Sequence, residues 1–246
     1  MISVALAFYN GKKYINEQIY SILKNLKTDD ELVISVDDDR DGSGEILAFM
    51  AQKDARIHLV KGPGKGVVAN FQNALRQCRG EIIFLADQDD VWKDHKVARI
   101  EKIFEDPKVT AVVNNAEIVD GALHPVGQTT FQWRNSGTGF FKNIKKNSYI
   151  GCCMVVRKSV LDRILPIPEN VWIHDQWIGL LAEKLGSVIF LEDILLSYRR
   201  HEENVTGLNH GSVTSMIKKR WNMVREVQKR QKEWEMSALR NKNFSQ

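Results

Sequence analysis

Short apolar runs alternate with helix-like segments along the first hundred residues of the chain. The runs contain four or five residues each, the length of buried strands, and cover 4–8, 32–36, 57–60 and 82–86. Each is followed by apolar residues at helical spacing, such as Ile15, Ile19 and Ile22 after the first run. This alternation predicts an α/β fold with a doubly wound, mostly parallel central sheet and helices on both of its faces.

The second half is less regular and predicts shorter elements added to the same sheet. We expect strands at residues 111–113, 152–156, 188–191 and 195–198. A helix is expected at 175–185, and a loop-rich stretch reaches about Thr138. Helical spacing of apolar residues returns from Val213, which predicts a helical tail. The predicted division is 1–110 and 111–210 as halves of one domain, followed by a tail at 211–246.

The composition is that of a soluble globular protein, with 246 residues of which 43% are hydrophobic and 27% are charged. The first apolar run is too short for the core of a signal peptide, and no run approaches the ~18 residues of a membrane span. We therefore expect a cytoplasmic protein. The three cysteines have neither a disulfide framework nor zinc-ligand spacing, so reduced, packed thiols are expected.

The net charge of +4 is concentrated in the tail. Residues 218–246 carry nine Lys/Arg and three Asp/Glu, which leaves −2 for the rest of the chain. The nearly neutral body gives no support for nucleic-acid binding. In the tail, Ile217, Trp221 and Val224 recur near helical period among basic residues. This pattern predicts docking on an anionic membrane surface, and packing on the protein's own domain or on the partner in a homodimer is the alternative.

Three carboxylates, Asp87, Asp89 and Asp90, follow directly after the fourth apolar run. Ligand sites of open α/β sheets lie beyond the carboxyl ends of such strands. Clustered acids repel one another unless a cation neutralises them, and oxygen ligands suit Mg²⁺ or Mn²⁺ together with substrate phosphates. The pattern therefore favours a metal–diphosphate site. The alternative is an N-cap for the helix expected from about Lys93.

A second acidic group, at residues 37–41, follows the second apolar run. Two acidic groups at the ends of two strands of one sheet are expected to face one crevice. A carboxylate there can accept the ring N–H of a pyrimidine base. The alternative is an Asp- and Gly-rich turn, for which Asp41-Gly42 is a signal.

A set of motifs recurs in a fixed order over about residues 1–210. The matching segments are residues 4–11, Asp37-Asp38, Gly66-Val67 with Asn70-Phe71, residues 87–92, Gly151-Cys152, residues 174–177, and residues 198–201 with Asn204 and Gly207. Together they resemble family 2 glycosyltransferases of the GT-A fold, in the subgroup that includes many bacterial rhamnosyltransferases. Two departures lie near the expected base and ribose site. Phe8 replaces the usual Thr, and Asp39-Arg40 replaces the common Gly-Ser-Thr after Asp38.

The resemblance implies a nucleotide-sugar site in the first half of the domain. Its expected contacts are Ala7, Tyr9, Asp38, Asn70, Asp87, Gln88 and Asp89. Asp89 is also the expected metal ligand, joined by His201, with Mn²⁺ or Mg²⁺ as cofactor. The acceptor half is expected to contribute Cys152, His174 and Trp177, although for a lone Trp burial in the core is the alternative.

Asp175 is the candidate catalytic base, which takes a proton from the acceptor hydroxyl as it attacks the anomeric carbon. On local sequence alone an N-cap is the alternative account, and the match over residues 174–177 favours the base.

The resemblance as a whole implies an inverting, metal-dependent glycosyltransferase of cell-surface polysaccharide synthesis. The implied partners are a nucleotide diphosphate sugar, with dTDP-rhamnose as the leading donor, and a saccharide or lipid-linked saccharide acceptor. UDP-glucose, UDP-galactose or UDP-N-acetylhexosamine are alternative donors. A nucleotidyltransferase or a non-catalytic nucleotide-binding protein is the alternative outside this class.

Overall fold

The first half of the chain forms four parallel strands with helices between them. A computed structural model describes residues 1–201 and 212–243, so the motif residues Asn204 and Gly207 lie outside the described residues. The elements are β1 (Ile2–Tyr9), α1 (Ile15–Leu23), β2 (Glu31–Asp38), α2 (Ser43–Lys53), β3 (Ile57–Lys61), α3 (Val67–Gln77) and β4 (Ile82–Ala86). The strands lie in the order β3-β2-β1-β4, and each pair is parallel.

Both faces of this part of the sheet are covered. Val4 and Ala5 are neighbours on β1, and each is 0% exposed. Because successive side chains of a strand point to opposite faces, protein packs on both sides of β1. The predicted α/β arrangement is confirmed, and it brings the carboxyl ends of β1, β2 and β4 to one edge of the sheet.

The second half continues the same sheet with strands of both directions. Its elements are β5 (Val91–Trp92), α4 (Lys96–Glu101), a 3-10 helix (Lys102–Glu105), β6 (Val109–Val119), β7 (Pro125–Thr129), α5 (Thr130–Arg134), α6 (Phe140–Lys145), a 3-10 turn (Gly151–Cys153), β8 (Met154–Arg157), α7 (Lys158–Ile164), α8 (His174–Leu185), β9 (Ser187–Arg199) and α9 (Val213–Asn243). The order continues β4-β8-β6-β9-β5, and β7 pairs with β6. Only β6 and β9 are parallel among these pairs of the described residues.

Two predictions for the second half are corrected by the structure. The two short strands expected around residues 188–198 are one strand, β9, because Glu192 and Asp193 form a bulge between the pairs Asn114–Leu191 and Asn115–Ile194. The stretch expected to be loop contains the second half of β6 together with β7 and α5. Polar residues interrupted both apolar patterns without ending the extended backbone.

The tail helix α9 packs one face on its own domain. Val227 is 0% exposed, and the indole N–H of Trp234 donates to the carbonyl of Arg163 at 3.0 Å. Arg230 donates to the carbonyl of Pro166 at 2.8 Å. The opposite face leaves Trp221 62% exposed. Within residues 1–201 and 212–243, no helix has the length and apolarity needed to cross a bilayer.

Candidate active site

Two acidic loops lie at the edge of the sheet where β2 and β4 end. We call residues 37–41 the first acidic loop and residues 87–90 the second acidic loop. The second loop leads into β5, and the next helix, α4, begins only at Lys96 with His95 as its N-cap. The N-cap alternative for these acids is therefore excluded by the structure.

The end of β1 connects the two acidic loops. The side-chain amide of Gln88 accepts the backbone N–H of Tyr9 at 2.7 Å and donates to its carbonyl at 2.9 Å. On the other side, the side-chain oxygen of Asn10 accepts the backbone N–H of Asp41 at 3.4 Å. A Cβ on Gly11 would lie 2.6 Å from Cδ of Gln88, so only glycine leaves room for this amide. Gln88, a predicted nucleotide-sugar contact, thus uses its amide to hold the second acidic loop against β1.

Asp89 and His201 meet at the mouth of the crevice, although they are far apart in sequence. Nε2 of His201 lies 2.7 Å from Oδ2 of Asp89. The imidazole also lies against the ring of Tyr14, with 4.8 Å between the centroids. A carboxylate oxygen and an imidazole nitrogen this close can bind the same divalent cation. The structure therefore brings the two predicted metal ligands together.

Buried negative charge lies behind this pair. Asp87, Asp90 and Cys152 each bring one ligand atom into a group whose members are within 4.8 Å of one another. Oδ1 of Asp90 accepts the backbone N–H of Arg199 at 2.9 Å, whereas its buried Oδ2 has no hydrogen-bond partner among the described residues. Removal from water, followed by the charges of Asp89 and Asp175, raises the pKa of Asp87 to about 7. Burial and the neighbouring acids also raise the pKa of Asp90. A cation bound beside these groups would relieve the repulsion, so the donor set fits a divalent metal.

Asp175, at the start of α8, lies near the second acidic loop. It is 7% exposed, and its Oδ1 accepts the side-chain N–H of Asn147 at 3.0 Å. Burial raises its pKa to about 6, and Asp175 in turn raises the pKa of Asp87, which shows that the two carboxyls interact. The N-cap of α8 is Ile173, so helix capping does not account for Asp175. A buried carboxylate with a pKa near neutrality can act as a general base.

Most carboxylates of the first acidic loop have partners of their own. Oδ1 of Asp37 accepts the N–H of Gly64 at 2.8 Å, and Asp41 accepts the N–H groups of Lys12 and Ser43 at 2.7 and 3.0 Å. The turn interpretation holds for these two residues. Asp38 differs, because it lines a cavity of about 370 Å³ and pairs with the guanidinium of exposed Arg40. That guanidinium lowers the pKa of Asp38 to about 2.

The remaining predicted nucleotide-sugar residues lie around the end of β1. Asn70 on α3 donates to the carbonyl of Phe8 at 3.0 Å, and its buried Oδ1 has no hydrogen-bond partner in the part of the chain that the structure describes. Ala7 is partly buried and Tyr9 is exposed. The Phe8 side chain is fully buried, so this departure from the usual Thr changes the core.

A comparison with known proteins assigns the chain to a family. Residues 3–165 match the family model described as glycosyl transferase family 2. The chain belongs to this family. It is 28% identical over 222 residues to an uncharacterized glycosyltransferase, alr2836, of Nostoc, which covers 87% of this chain and 68% of the relative. It is 25% identical over 231 residues to the UDP-Glc:alpha-D-GlcNAc-diphosphoundecaprenol beta-1,3-glucosyltransferase WfgD of Escherichia coli, covering 91% and 85%.

Solved structures show the same fold as this family 2 glycosyltransferase. S. aureus TarS 1-349 in complex with UDP-GlcNAc has a TM-score of 0.72 at 18% identity, over 93% of this chain and 66% of that chain. The mannosyltransferase PcManGT from Pyrobaculum calidifontis, in complex with GDP-Man and Mn²⁺, has a TM-score of 0.65 at 19% identity, over 82% and 58%. The chain thus spans 66% and 58% of the two solved chains. The predicted GT-A fold is confirmed.

The three predicted acceptor residues, Cys152, His174 and Trp177, are buried in the structure. Trp177 is fully buried and its indole N–H donates to the carbonyl of Ile164 at 3.1 Å, so its ring packs the core and the predicted acceptor contact is corrected. Cys152 is also fully buried, beneath the second acidic loop, and burial raises the pKa of its thiol. All three cysteines are free and buried, as expected. His174 stacks on Phe71 at 4.0 Å, and burial lowers its pKa to about 3, so the ring is neutral.

One residue of the family 2 glycosyltransferase site was not singled out by the sequence. Arg199, at the end of β9, donates from Nε to the carbonyl of Asp89 at 2.7 Å and from a terminal nitrogen to that of Gly121. Its guanidinium also pairs with Glu17 and lies over the ring of Tyr14. It fixes the second acidic loop against β9. Arg199 belongs to the motif at residues 198–201, but within that motif the sequence argument considered only His201 as a chemical group.

Proposed function

We propose that this chain is an inverting, metal-dependent glycosyltransferase that moves a sugar from a nucleoside diphosphate donor to a saccharide or lipid-linked saccharide acceptor. The observation that carries the proposal is the juxtaposition of three groups. The Asp89–His201 pair lies at the mouth, Asp87 and Asp90 lie behind it, and buried Asp175 lies beside them.

One group of residues binds the donor, and Asp175 acts on the acceptor. Asp38 accepts the base N–H, while Ala7, Tyr9 and Asn70 line the nucleotide. Asp89 and His201 would hold Mn²⁺ or Mg²⁺, whose positive charge would favour departure of the diphosphate. The mannosyltransferase with the same fold was solved with Mn²⁺, which supports this cofactor. Asp87 lies nearer the ribose, and Gln88 orients its loop through Tyr9.

Asp175 acts as the base. It removes the proton of the acceptor hydroxyl while that oxygen forms a bond to the anomeric carbon from the face opposite the diphosphate. The bond from the anomeric carbon to the diphosphate oxygen breaks, and the nucleoside diphosphate leaves with the electron pair. The anomeric configuration is therefore inverted, and one carboxylate is enough.

For the donor, we propose rhamnose carried on dTDP, because the motif set resembles rhamnosyltransferases. UDP-sugars are the second candidates, since the name of WfgD specifies UDP-glucose and TarS was solved with UDP-GlcNAc. The setting we propose is synthesis of a cell-surface polysaccharide.

The proposal is tested by calorimetry with dTDP, UDP and GDP, each with and without Mn²⁺ or Mg²⁺. We expect one nucleoside diphosphate to bind only when metal is present. Asp89→Ala and His201→Ala should abolish that metal dependence, because the diphosphate charge then stays uncompensated, whereas Asp94→Ala, an exposed acid outside the crevice, should bind normally. Unchanged metal-dependent affinity in Asp89→Ala would overturn the metal assignment.

We also propose that α9 rests on an anionic membrane surface. Ile217, Trp221 and Leu239 are exposed on the helix face opposite Val227, and Lys218 and Lys232 are exposed among them. Apolar burial and charge attraction would then act together. Trp221→Ser should weaken binding to vesicles that contain anionic lipid. A parent protein that forms dimers and has no vesicle affinity would show that this face is a homodimer contact.

A further inference from the structure

Two arginines converge on one aromatic ring beside Asp175, outside the nucleotide site described above. The guanidinium of Arg134, at the end of α5, lies 3.9 Å from the ring centroid of Trp133. The guanidinium of Arg200, which follows β9, lies 5.0 Å from the same centroid. Tyr198 stacks on Trp133 with 6.3 Å between the centroids. Arginine prefers such aromatic faces and retains its hydrogen-bond donors for a ligand.

The buried Nε–H group of Arg134 needs a hydrogen-bond acceptor. Its Nε is buried and, among residues 1–201 and 212–243, has no hydrogen-bond partner. Buried charged groups in proteins are ordinarily paired, since leaving one without a partner costs free energy. Arg200 is an exposed side chain that adds a second positive charge at the same ring. Two guanidinium groups at one ring offer several N–H donors, which suit a carboxylate or a phosphate.

The position of this pair favours the acceptor over the donor. The carboxylate that acts on Arg134 is that of Asp175, and Arg134 in turn favours the charged form of Asp175. An anion on the two arginines would therefore lie on the side of Asp175.

We propose that Arg134 and Arg200 form a subsite for an anionic group, a phosphate or a carboxylate, carried by the acceptor sugar. This deepens the proposed function and rests on it, because the subsite has a meaning only if Asp175 activates an acceptor hydroxyl. The bound anion holds the acceptor by charge-assisted hydrogen bonds while its hydroxyl faces Asp175. A neutral sugar would leave Arg134 without its partner.

The test measures direct binding, so that it does not depend on transfer. The full chain, saturated with Mn²⁺ and the nucleoside diphosphate that binds best, is titrated with glucose 1-phosphate, methyl glucuronide and methyl glucoside. We expect at least one anionic sugar to bind about tenfold or more tightly than the neutral glucoside, as charge-assisted hydrogen bonds are stronger than neutral ones. The order of glucose 1-phosphate and methyl glucuronide identifies phosphate or carboxylate as the group.

Three variants assign the effect to the two arginines. Arg200→Gln and Arg134→Gln should remove the preference for the anionic sugar and leave the affinity for nucleoside diphosphate unchanged. Arg240→Gln, the same change at an exposed site on α9, is the matched control and should keep the preference. If Arg134→Gln does not fold, the exposed Arg200→Gln and the charge-conserving Arg134→Lys carry the test.

Two results would overturn the inference. Equal binding of all three sugars would show that no anion is recognised. Loss of nucleoside diphosphate affinity in the arginine variants would place these residues at the donor diphosphate. If no nucleoside diphosphate binds at all, the proposed function has failed, and the sugar titration, repeated without nucleotide, still decides whether the anion site exists.

Discussion

The first and second acidic loops have nearly the same composition and opposite electrostatics. In the first loop, Asp37 and Asp41 accept backbone N–H groups and Asp38 accepts the guanidinium of Arg40. In the second loop, Asp87 and Asp90 are turned toward one another and toward Cys152. Carboxyl pKa values are lowered at Asp38 and Asp41 and raised at Asp87 and Asp90. Hydrogen bonds and an ion pair stabilise the charged forms of Asp38 and Asp41, whereas burial and mutual repulsion disfavour the charged forms of Asp87 and Asp90.

In the function that we propose, this difference assigns the first loop to the shape of the site and the second loop to its chemistry. Hydrogen bonds from backbone N–H groups stabilise a carboxylate in its charged form and fix the loop that supplies them. Mutually buried carboxyls do the reverse, and perturbed groups of this kind concentrate at functional sites. The end of β1, through Tyr9 and Asn10, holds both loops in one crevice.

The largest effect is expected at Asp175, the buried carboxyl beside the second loop. Asp175→Asn should reduce the transfer rate by about 10²–10⁴, because an amide cannot accept the acceptor's proton. Nucleoside diphosphate affinity should stay near that of the parent, and the melting temperature should not fall below it. Asp41→Asn in the first loop is the matched change, and it should lower the melting temperature while transfer per folded molecule is retained. Near-normal transfer by Asp175→Asn would move the base elsewhere.

How far the sequence predicted this arrangement depended on the range of the interactions. The four parallel strands and the position of both acidic groups followed from local apolar patterns. The contact of Asp89 with His201 required the family resemblance, because their 112-residue separation leaves no local signal. Hydrogen-bond partners and burial determine the electrostatics of the two acidic loops. Nothing in the sequence of the two loops shows that N–H groups of Gly64 and Lys12 stabilise carboxylates of the first loop, or that burial disfavours the charged carboxylates of the second.

The connection between the loops can be broken at Gly11. Gly11→Ala would place a Cβ 2.6 Å from the Gln88 amide, so that Gln88 must release Tyr9. We expect a loss of about 1–3 kcal/mol in the free energy of unfolding, measured by denaturant titration. Gly121→Ala is the control, because its Cβ would lie 3.6 Å from the nearest side-chain atom, the Tyr14 hydroxyl. Equal stability of the two variants would show that Gln88 does not brace the crevice.

The pH dependence of transfer tests the role that we assign to the buried carboxyl of Asp175. With a pKa of about 6, Asp175 is protonated at lower pH, so the rate should fall as the pH decreases through about 6. Asn147→Ala removes a donor that favours the carboxylate, and the inflection of the rate profile should move to higher pH. Asn222→Ala on α9 should leave it in place. A profile that Asn147→Ala does not shift would show that another group sets the inflection.

The same raised pKa has a consequence for stability. The folded protein binds the Asp175 proton more tightly than the unfolded chain, whose carboxyl has a pKa near 3.8. This contribution to stability is therefore fully present below about 3.8 and is lost as the pH rises through about 6. Asp175→Asn should remove this part of the pH dependence, and thermal unfolding between these pH values measures it.

The smallest effect is expected in the first loop, at the ion pair of Arg40 with Asp38. The Arg40 side chain is 81% exposed, and exposed ion pairs contribute little free energy. Arg40→Ala frees the Asp38 carboxylate to accept the N–H of the base, so nucleoside diphosphate affinity should rise by no more than about threefold. Asp38→Asn should instead weaken that affinity and alter the choice among dTDP, UDP and GDP. Calorimetry on both variants distinguishes the roles. A marked loss of affinity in Arg40→Ala would show that Arg40 itself contacts the nucleotide, and the first loop would then contribute positive charge to a site where we assign it only a base-reading carboxylate.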